Sequence, residues 1–296
     1  MELRTLRYFL LVAREENITK AAELLHVTQP TLSRQLLQLE KELGTKLFHR
    51  GQHSISLTDD GMLLKRRAQE LVDLADKTEQ EFIKSEDSLT GELSIGCGET
   101  LNMHILAQWI ASFRMENPLV QYDIYSATAD EIKDRIEKGI LDMGLLVGPS
   151  DITKYEFIRM PKKERWGILA AKDSPFARYS HVSPADLTQT PLLIAKRNLV
   201  RDELRGWFGP YFDSLEIAGT YNLLYNAAVM AENGVGAVLC MEHDRTSENL
   251  CFIPLSPALE TGAVLVWKKN QACSTAAARF FTHVQICAKR MTDNKI

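Results

Sequence analysis

The segment NITKAAELLHVTQPTLSRQLLQLEKELGTKLFHR, residues 17–50, decides the fold of the N-terminal part of the chain. Asn17 is a good N-cap for a short amphipathic helix. Thr28 can cap a second helix, which carries Pro30 in its first turn, where a missing amide hydrogen matters least. The spacing therefore predicts two helices joined by a tight connection at residues 26–27.

The second of these helices is predicted to have one apolar and one polar face. Leucines at positions 32, 36, 39 and 43 recur at helical spacing and are expected to face a core, and Gly44 ends the helix. The side chains at its start are rich in donors suited to base edges and phosphates. The candidate DNA contacts are Thr28, Gln29, Pro30, Thr31, Ser33, Arg34 and Gln35.

Upstream, residues 3–13 show the apolar pattern of another helix, and downstream, residues 49–57 suggest a turn between two short strands. Such a turn is typical of a wing that reaches DNA beside a helix-turn-helix, here through Arg50 and His53. Periodicity alone leaves a second interpretation open, because three amphipathic helices around a leucine core also suit a protein-interaction bundle.

Residues 17–50, followed by ISLTDDG at residues 55–61, resemble the N-terminal signature of the LysR-type transcriptional regulators. The resemblance runs from residue 1 to Gly61 almost position for position. It implies a winged helix-turn-helix, a linker helix and a ligand-binding module resembling type 2 periplasmic binding proteins, assembled as a homodimer or homotetramer.

The same resemblance implies roles for individual residues. The start of the family's recognition helix falls on residues 29–34, and its wing anchor falls on Arg50. Many members carry further Arg or Lys after that anchor, whereas residues 51–54 here supply only His53. We therefore expect wing contacts that are weaker or more dependent on pH than in those members.

A charged helix is predicted from Thr58 to about residue 85. Apolar residues in it recur by alternating steps of four and three, the period of a helix paired with another helix, so we expect dimerisation here. An amphipathic helix lying on its own domain would show a similar stripe. The candidate dimerisation residues are Leu64, Ala68, Leu71, Ala75, Thr78 and Phe82.

Beyond Gly91, strands alternate with helices, which predicts an α/β module built around a parallel sheet. Two sets of such elements predict two lobes, with GELSIGCGET at residues 91–100 as the clearest local match to the family's effector domain. The predicted domains are a winged helix-turn-helix at 1–58, a linker helix at 59–87, and an effector module at 88–296, with lobe one at 88–161 plus 268–296 and lobe two at 162–267.

A small molecule is expected to bind in the cleft between these lobes, because ligands of open α/β sheets bind beyond the carboxyl ends of strands. Lys196 and Arg197 would suit an anionic ligand, whereas Glu99 could select an amine or pair with a lysine. For each candidate, a helix cap or a solvated loop is the alternative interpretation. The candidate effector contacts are Glu99, Thr100, Leu101, Ser126, Thr128, Lys196 and Asn222.

Composition and sequence motifs narrow the classes of function that the chain could have. With a net charge of −4, any DNA contact must be local, and the N-terminus lacks the pattern of a signal peptide, so we expect a cytoplasmic protein rather than an exported solute-binding protein. No catalytic, metal-binding or cofactor-binding motif is present, so we expect no enzyme activity, metal or cofactor. A thiol-based redox regulator of the same architecture stays open, with Cys97 or the pair Cys240 and Cys251 as candidates.

Overall fold

A computed structural model of the chain describes residues 1–50, 55–81, 89–244, 247–270 and 273–293. The chain divides into two units, Met1–Ile83 and Lys84–Ile296. None of the described helices is both long enough and apolar enough to cross a membrane.

Within its described residues, the first unit contains four helices and a two-stranded antiparallel ribbon. The elements are α1 (Leu3–Glu15), α2 (Ile18–Leu24), α3 (Gln29–Leu43), β1 (Phe48–Arg50), β2 (Ile55–Leu57) and α4 (Asp59–Glu81). The Asn17 side chain accepts a hydrogen bond from the Lys20 amide at the start of α2, as predicted. Gly44 ends α3 with a φ of 70°, a left-handed conformation that suits glycine.

The core of the first unit lies where the helices meet. Leu32, Leu36 and Leu39 of α3 are buried against Phe9 of α1, as the helical spacing predicted. The expectation for Leu43 is wrong, because 42% of this residue is exposed. Leu43 is the last residue of α3, and the chain turns away from the core at the Gly44 cap.

The residue at which the family resemblance ends, Gly61, has a structural reason to be a glycine. A β-carbon there would stand 2.1 Å from the carbonyl oxygen of Leu47 and 3.0 Å from the Leu57 side chain. The first of these atoms belongs to the backbone and has little freedom to move. The absence of a side chain therefore allows α4 to pack directly on the chain that enters the ribbon.

The second unit contains two lobes, each with its own sheet. The first lobe has strands in the order β4-β3-β5-β13-β6. Its elements are β3 (Gly91–Cys97), α5 (Met103–Glu116), β4 (Val120–Ser126), α6 (Ala129–Glu137), β5 (Met143–Val147), β6 (Tyr155–Arg159), β13 (Ala263–Lys268) and α9 (Thr275–Asp293). Strands β3, β4 and β5 are parallel, whereas β13 is antiparallel to both of its neighbours.

The second lobe has strands in the order β11-β7-β10-β8-β9, with a short β12 also paired to β7. Its elements are β7 (Glu164–Ala171), β8 (Leu192–Ala195), α7 (Asn198–Phe208), β9 (Ile217–Tyr221), α8 (Leu224–Glu232), β10 (Ala237–Met241), β11 (Leu250–Pro254) and β12 (Glu260–Thr261), with 3-10 turns at 175–178, 185–187 and 209–214. The helices α7 and α8 pack on the two faces of this sheet.

Two details of the predicted lobes are wrong. The strand at 263–267 was expected in the second lobe, but it pairs with β5 and β6 in the first, so the chain returns near Gly262 rather than at 267–270. The sheets are mixed rather than parallel, because β13 is antiparallel to β5 and β7 is antiparallel to β10. The strands β6 and β11 were not expected. A six-residue apolar strand has the same pattern in either sheet, and only its distant pairing partners decide its lobe.

Candidate functional site

The start of α3 carries an exposed polar surface. Thr28, Gln29, Pro30, Thr31, Arg34 and Gln35 are exposed, and Ser33 is half-buried. The Gln29 amide donates a hydrogen bond to the Ser33 hydroxyl at 2.9 Å, and the Thr28 and Thr31 hydroxyls lie 2.8 Å apart. Arg34 makes no side-chain hydrogen bond or ion pair within the described residues. Its five donors are therefore available to a partner outside the chain.

The ribbon after α3 has the geometry expected of a wing. Arg50 and Ile55 are paired in the antiparallel ribbon, and the turn that was predicted to reach DNA connects these two residues. The side chain of Arg50 and the whole of His53 lie outside the described residues. The structure therefore shows the two wing strands, and the DNA contacts of Arg50 and His53 stay predictions.

A buried carboxylate joins α3 to this ribbon. Glu40 is 4% exposed, and its Oε1 accepts hydrogen bonds from the backbone amides of Leu47 at 2.8 Å and Phe48 at 3.3 Å. The Lys46 ammonium lies 3.6 Å from Oε2. Since backbone amides donate to this side chain, it holds the start of the wing against the recognition helix. The sequence reasoning missed Glu40, although a lone acid at a core-facing position is a recognisable signal.

Helix α4 has two different apolar faces. Leu64, Ala68 and Val72 pack on the core of the first unit, and no part of Ala68 is exposed. Leu63, Leu71 and Leu74 are 53%, 41% and 39% exposed, and Leu71 borders the buried face because it lies seven residues, about two turns, after Leu64. The predicted dimerisation stripe is therefore partly wrong, because the period of four and three also matches a helix lying on its own domain.

The remaining predicted dimerisation residues differ in how far they are exposed. Ala75 is half-buried, and Thr78 is exposed, with its hydroxyl donating to the Leu74 carbonyl oxygen at 2.7 Å. Phe82 lies outside the described residues. The exposed leucines Leu63 and Leu74 were not predicted, and they extend the apolar surface around Leu71.

A cavity of about 120 Å³ lies between the two lobes of the second unit. It adjoins a second pocket of about 510 Å³, with which it shares several lining residues. Four of the predicted effector contacts line the cavity, namely Glu99, Thr128, Lys196 and Asn222. Thr128 also caps α6, where its hydroxyl and the Glu131 carboxylate form a capping box.

Three predicted contacts do not lie on this cavity. Ser126 is exposed at the end of β4, and the Thr100 hydroxyl donates to the carboxylate of Glu164 instead of facing the cleft. The Leu101 amide donates to the same carboxylate at 3.3 Å, as does the Asn102 side chain at 2.6 Å. The chain turns into α5 directly after Glu99, so these groups point to the crossover between the lobes.

The guanidinium of Arg197 spans the two lobes. It donates to both Asp130 oxygens at 2.9 and 3.1 Å, to the carbonyl oxygens of Val147 and Pro149 at 3.3 and 2.8 Å, and to Ser150 at 3.0 Å. Its side chain is 8% exposed, and these hydrogen bonds hold the pKa of Asp130 below its usual range. Arg197 therefore links the lobes. It also lines the cavity, and since its donors bind protein oxygens, the expectation that it suits an anionic ligand stays a prediction.

The cavity also has lining residues that the sequence reasoning missed, among them Trp166, Met241 and His243. Met241 ends strand β10, and the rule that ligands bind beyond strand ends could have found it and His243. Trp166 lies near the start of β7, and only the antiparallel pairing of Trp166 with Met241 brings that start to the cleft.

Comparison with protein families covers both units. A model described as "Bacterial regulatory helix-turn-helix protein, lysR family" matches residues 3–62, and one described as "LysR substrate binding domain" matches residues 86–286. The chain belongs to the LysR family. It is a transcriptional regulator with a helix-turn-helix domain and an effector-binding domain, as the N-terminal resemblance implied.

Individual LysR-type proteins resemble it along most of the chain. The Hca operon transcriptional activator HcaR of Escherichia coli strain K12 is 30% identical over 280 residues, 92% of this chain and 93% of HcaR. A hydrogen peroxide-inducible genes activator of Dickeya chrysanthemi is 26% identical over 261 residues, 86% of this chain and 85% of the activator. The structure of full-length CbnR complexed with its target DNA has a TM-score of 0.74 at 23% identity, covering 96% of this chain and 99% of CbnR.

Two of the candidate redox cysteines of this LysR-family chain, Cys97 and Cys240, are buried, whereas Cys273 is exposed. Burial raises the pKa of Cys97 and of Cys240 to about 12, which keeps both thiols protonated and unreactive near neutral pH. Cys240 and Cys251 lie on opposite sides of β7, opposite Gly167 and Ala170. Strand spacing puts them roughly 14 Å apart, too far for a disulfide in this conformation. The thiol-based alternative is therefore not favoured.

Proposed function

We propose that the first unit binds duplex DNA through the start of α3 and that a small molecule in the cavity between the lobes modulates this binding. The observation that carries the DNA part is the exposed polar surface at residues 28–35, in which the Arg34 side chain makes no hydrogen bond or ion pair within the described residues. A recognition helix reads base edges with side chains of this kind. CbnR, which has a similar fold, forms a complex with its target DNA.

The proposed DNA contacts are the seven side chains at the start of α3 together with Arg50 and His53 of the wing. The proposed effector contacts are Glu99, Thr128, Lys196 and Asn222, which come from both lobes and converge on one cavity. A ligand that favours one arrangement of the lobes can shift the protein between states only by its difference in affinity for them. We assign no catalytic step to either site, and since the proposed target is chromosomal DNA, the proposed place of action is the bacterial cytoplasm.

Selection of DNA by the purified full-length chain tests this function. We expect a random duplex library to yield one enriched sequence with two related half-sites, because a dimer presents two recognition helices. Binding to that sequence should weaken steeply as salt rises, since contacts to phosphates release counterions. A library that shows no enrichment over beads without protein would contradict the proposed DNA binding.

The proposed assembly is a homodimer, or a homotetramer built from dimers, in which the exposed face of α4 pairs with a second chain. Replacing Leu71 with aspartate should shift the protein toward the monomer and lower operator affinity, because a charge would be buried in the apolar seam. Sedimentation of the variant measures the first effect. The matched control is Leu24→Asp, at an exposed leucine of α2. If Leu71→Asp sediments as the parent does, the main interface lies elsewhere.

A further inference from the structure

Most of the charged groups around the cavity between the lobes already bind protein atoms. The Arg197 guanidinium is occupied by Asp130 and by first-lobe oxygens. Glu131, in the adjoining pocket, accepts hydrogen bonds from the amide and hydroxyl of Thr128. These groups cannot recognise a ligand without first breaking the contacts that hold the lobes and the α6 cap.

Lys196 and Glu99 remain for a ligand, and they have opposite charges. Lys196 is exposed and makes no side-chain hydrogen bond or ion pair within the described residues. Glu99 accepts one hydrogen bond, from the backbone amide of Leu224 to its Oε2, and no other contact of its carboxylate is seen in the described part of the chain. Lys196 and Glu99 come from different lobes, and both residues line the same cavity.

The remaining surface of the cavity limits the size and polarity of the occupant. Side chains of Val147, Trp166, Val200 and Met241 give it an apolar wall. A volume of about 120 Å³ has room for about four water molecules at about 30 Å³ each, so the part of a ligand held in it is compact, and the cavity adjoins the pocket of about 510 Å³. A ligand with a single charge would leave either the Glu99 carboxylate or the Lys196 ammonium without a partner, whereas a ligand with both charges can pair with each of them.

We propose that the effector is a small zwitterion of the α-amino acid class, with its carboxylate on Lys196, its ammonium on Glu99 and its side chain against the apolar wall. The inference rests on the proposed effector cavity and adds the chemical class of its ligand. Asn222 lines the cavity as well, and since its side-chain oxygen accepts a hydrogen bond from the Leu223 amide at 2.9 Å, its amide hydrogens are the groups it can offer a ligand. A ligand held at both ends touches both lobes, which couples its binding to their relative position.

Calorimetry and thermal shift of the full-length chain with the twenty standard amino acids test this class. We expect at least one of them to bind and to raise the unfolding temperature. The matching amine without the carboxylate and the matching acid without the ammonium should each bind at least about tenfold more weakly, because each leaves one charged group unpaired. If no amino acid binds, the proposal is wrong.

Two variants test which side chain binds which end of the ligand. Glu99→Gln keeps the size of the side chain and an oxygen for the Leu224 amide, while Lys196→Met keeps most of the stem without the charge. Each should weaken binding of the amino acid at least about tenfold. Lys172→Met and Glu216→Gln, at exposed positions of the second lobe that do not line the cavity, are the controls and should leave the affinity unchanged.

The outcomes separate the ligand class from the function itself. If simple carboxylates bind as tightly as amino acids and Glu99→Gln strengthens their binding, the cavity is an effector site for anions and the zwitterion is excluded. If an amino acid binds equally well to both variants, it occupies another surface and the proposal fails. Failure of the DNA selection would instead contradict the regulatory function, whatever the calorimetry shows.

Discussion

Replacing Arg34 with alanine is expected to lower the affinity of the full-length chain for its selected operator by a factor of roughly ten to one hundred. A guanidinium that reads a guanine edge through two hydrogen bonds contributes about 1–3 kcal/mol of discrimination. Arg34 is exposed on α3, and no described residue competes for its donors. The loss should be largest on the selected sequence and small on unrelated DNA. Binding titrations on both sequences measure it.

Gln29→Ala should act in the same direction as Arg34→Ala, because the Gln29 amide lies on the same surface, hydrogen-bonded to Ser33. The matched control is Arg279→Ala, at an exposed arginine on α9 of the second unit, which should bind both DNA sequences as the parent does. Unchanged operator protection by both α3 variants would show that α3 does not read the bases.

Replacing Glu164 with alanine is expected to destabilise the effector-binding domain by about 2–6 kcal/mol, because it removes the acceptor of two buried donors, at about 1–3 kcal/mol each, and of the part-buried Leu101 amide. No part of Glu164 is exposed, and its carboxylate accepts hydrogen bonds from Thr100, the Leu101 amide and Asn102. Denaturant unfolding of the full-length chain, followed by a probe in the second unit, measures the effect.

The control for Glu164 is Glu156→Ala, at an exposed position of β6, which should change the stability by no more than about 0.5 kcal/mol. Glu164→Gln should fall between the two, because it keeps the volume and one acceptor oxygen but presents an amide to donors. Equal stabilities for Glu164→Ala and Glu156→Ala would contradict the role of this carboxylate. Operator binding by the first unit should persist in all three variants.

The local elements of the first unit were predictable because their signals are local. A cap, a proline in the first turn and a terminal glycine act on the backbone within a few residues, so Asn17 and Gly44 mark helix ends wherever the helix later packs. Thr28 stands at the N-cap position of α3, but its side chain makes no capping hydrogen bond. The role of Glu40 was not predictable in this way. Its partners, the amides of Leu47 and Phe48, reach it only when the wing folds back on α3.

The effector cavity was also only partly predictable from the sequence. The rule that ligands bind beyond strand ends correctly predicted that Glu99, Thr128, Lys196 and Asn222 line one cavity. It failed at Thr100, one residue beyond Glu99, because the Thr100 hydroxyl binds the carboxylate of Glu164, which lies 64 residues away in the sequence. The ion pair of Arg197 was not predicted either, since its partner Asp130 lies 67 residues away.

By itself the sequence determined the family, the order of the helices and of most strands, the start of α2, the ends of α3 and the strand ends from which the cavity is built. These properties depend on residues a few positions apart or on a motif that spans residues 1–61. Only the tertiary structure decided which lobe holds the strand Ala263–Lys268, which face of α4 is buried, and which charges at the cavity are already paired. Each of these depends on contacts between segments that are distant in the sequence. The sequence pattern of apolar or charged residues is the same whether they contact their own domain, another chain or a ligand.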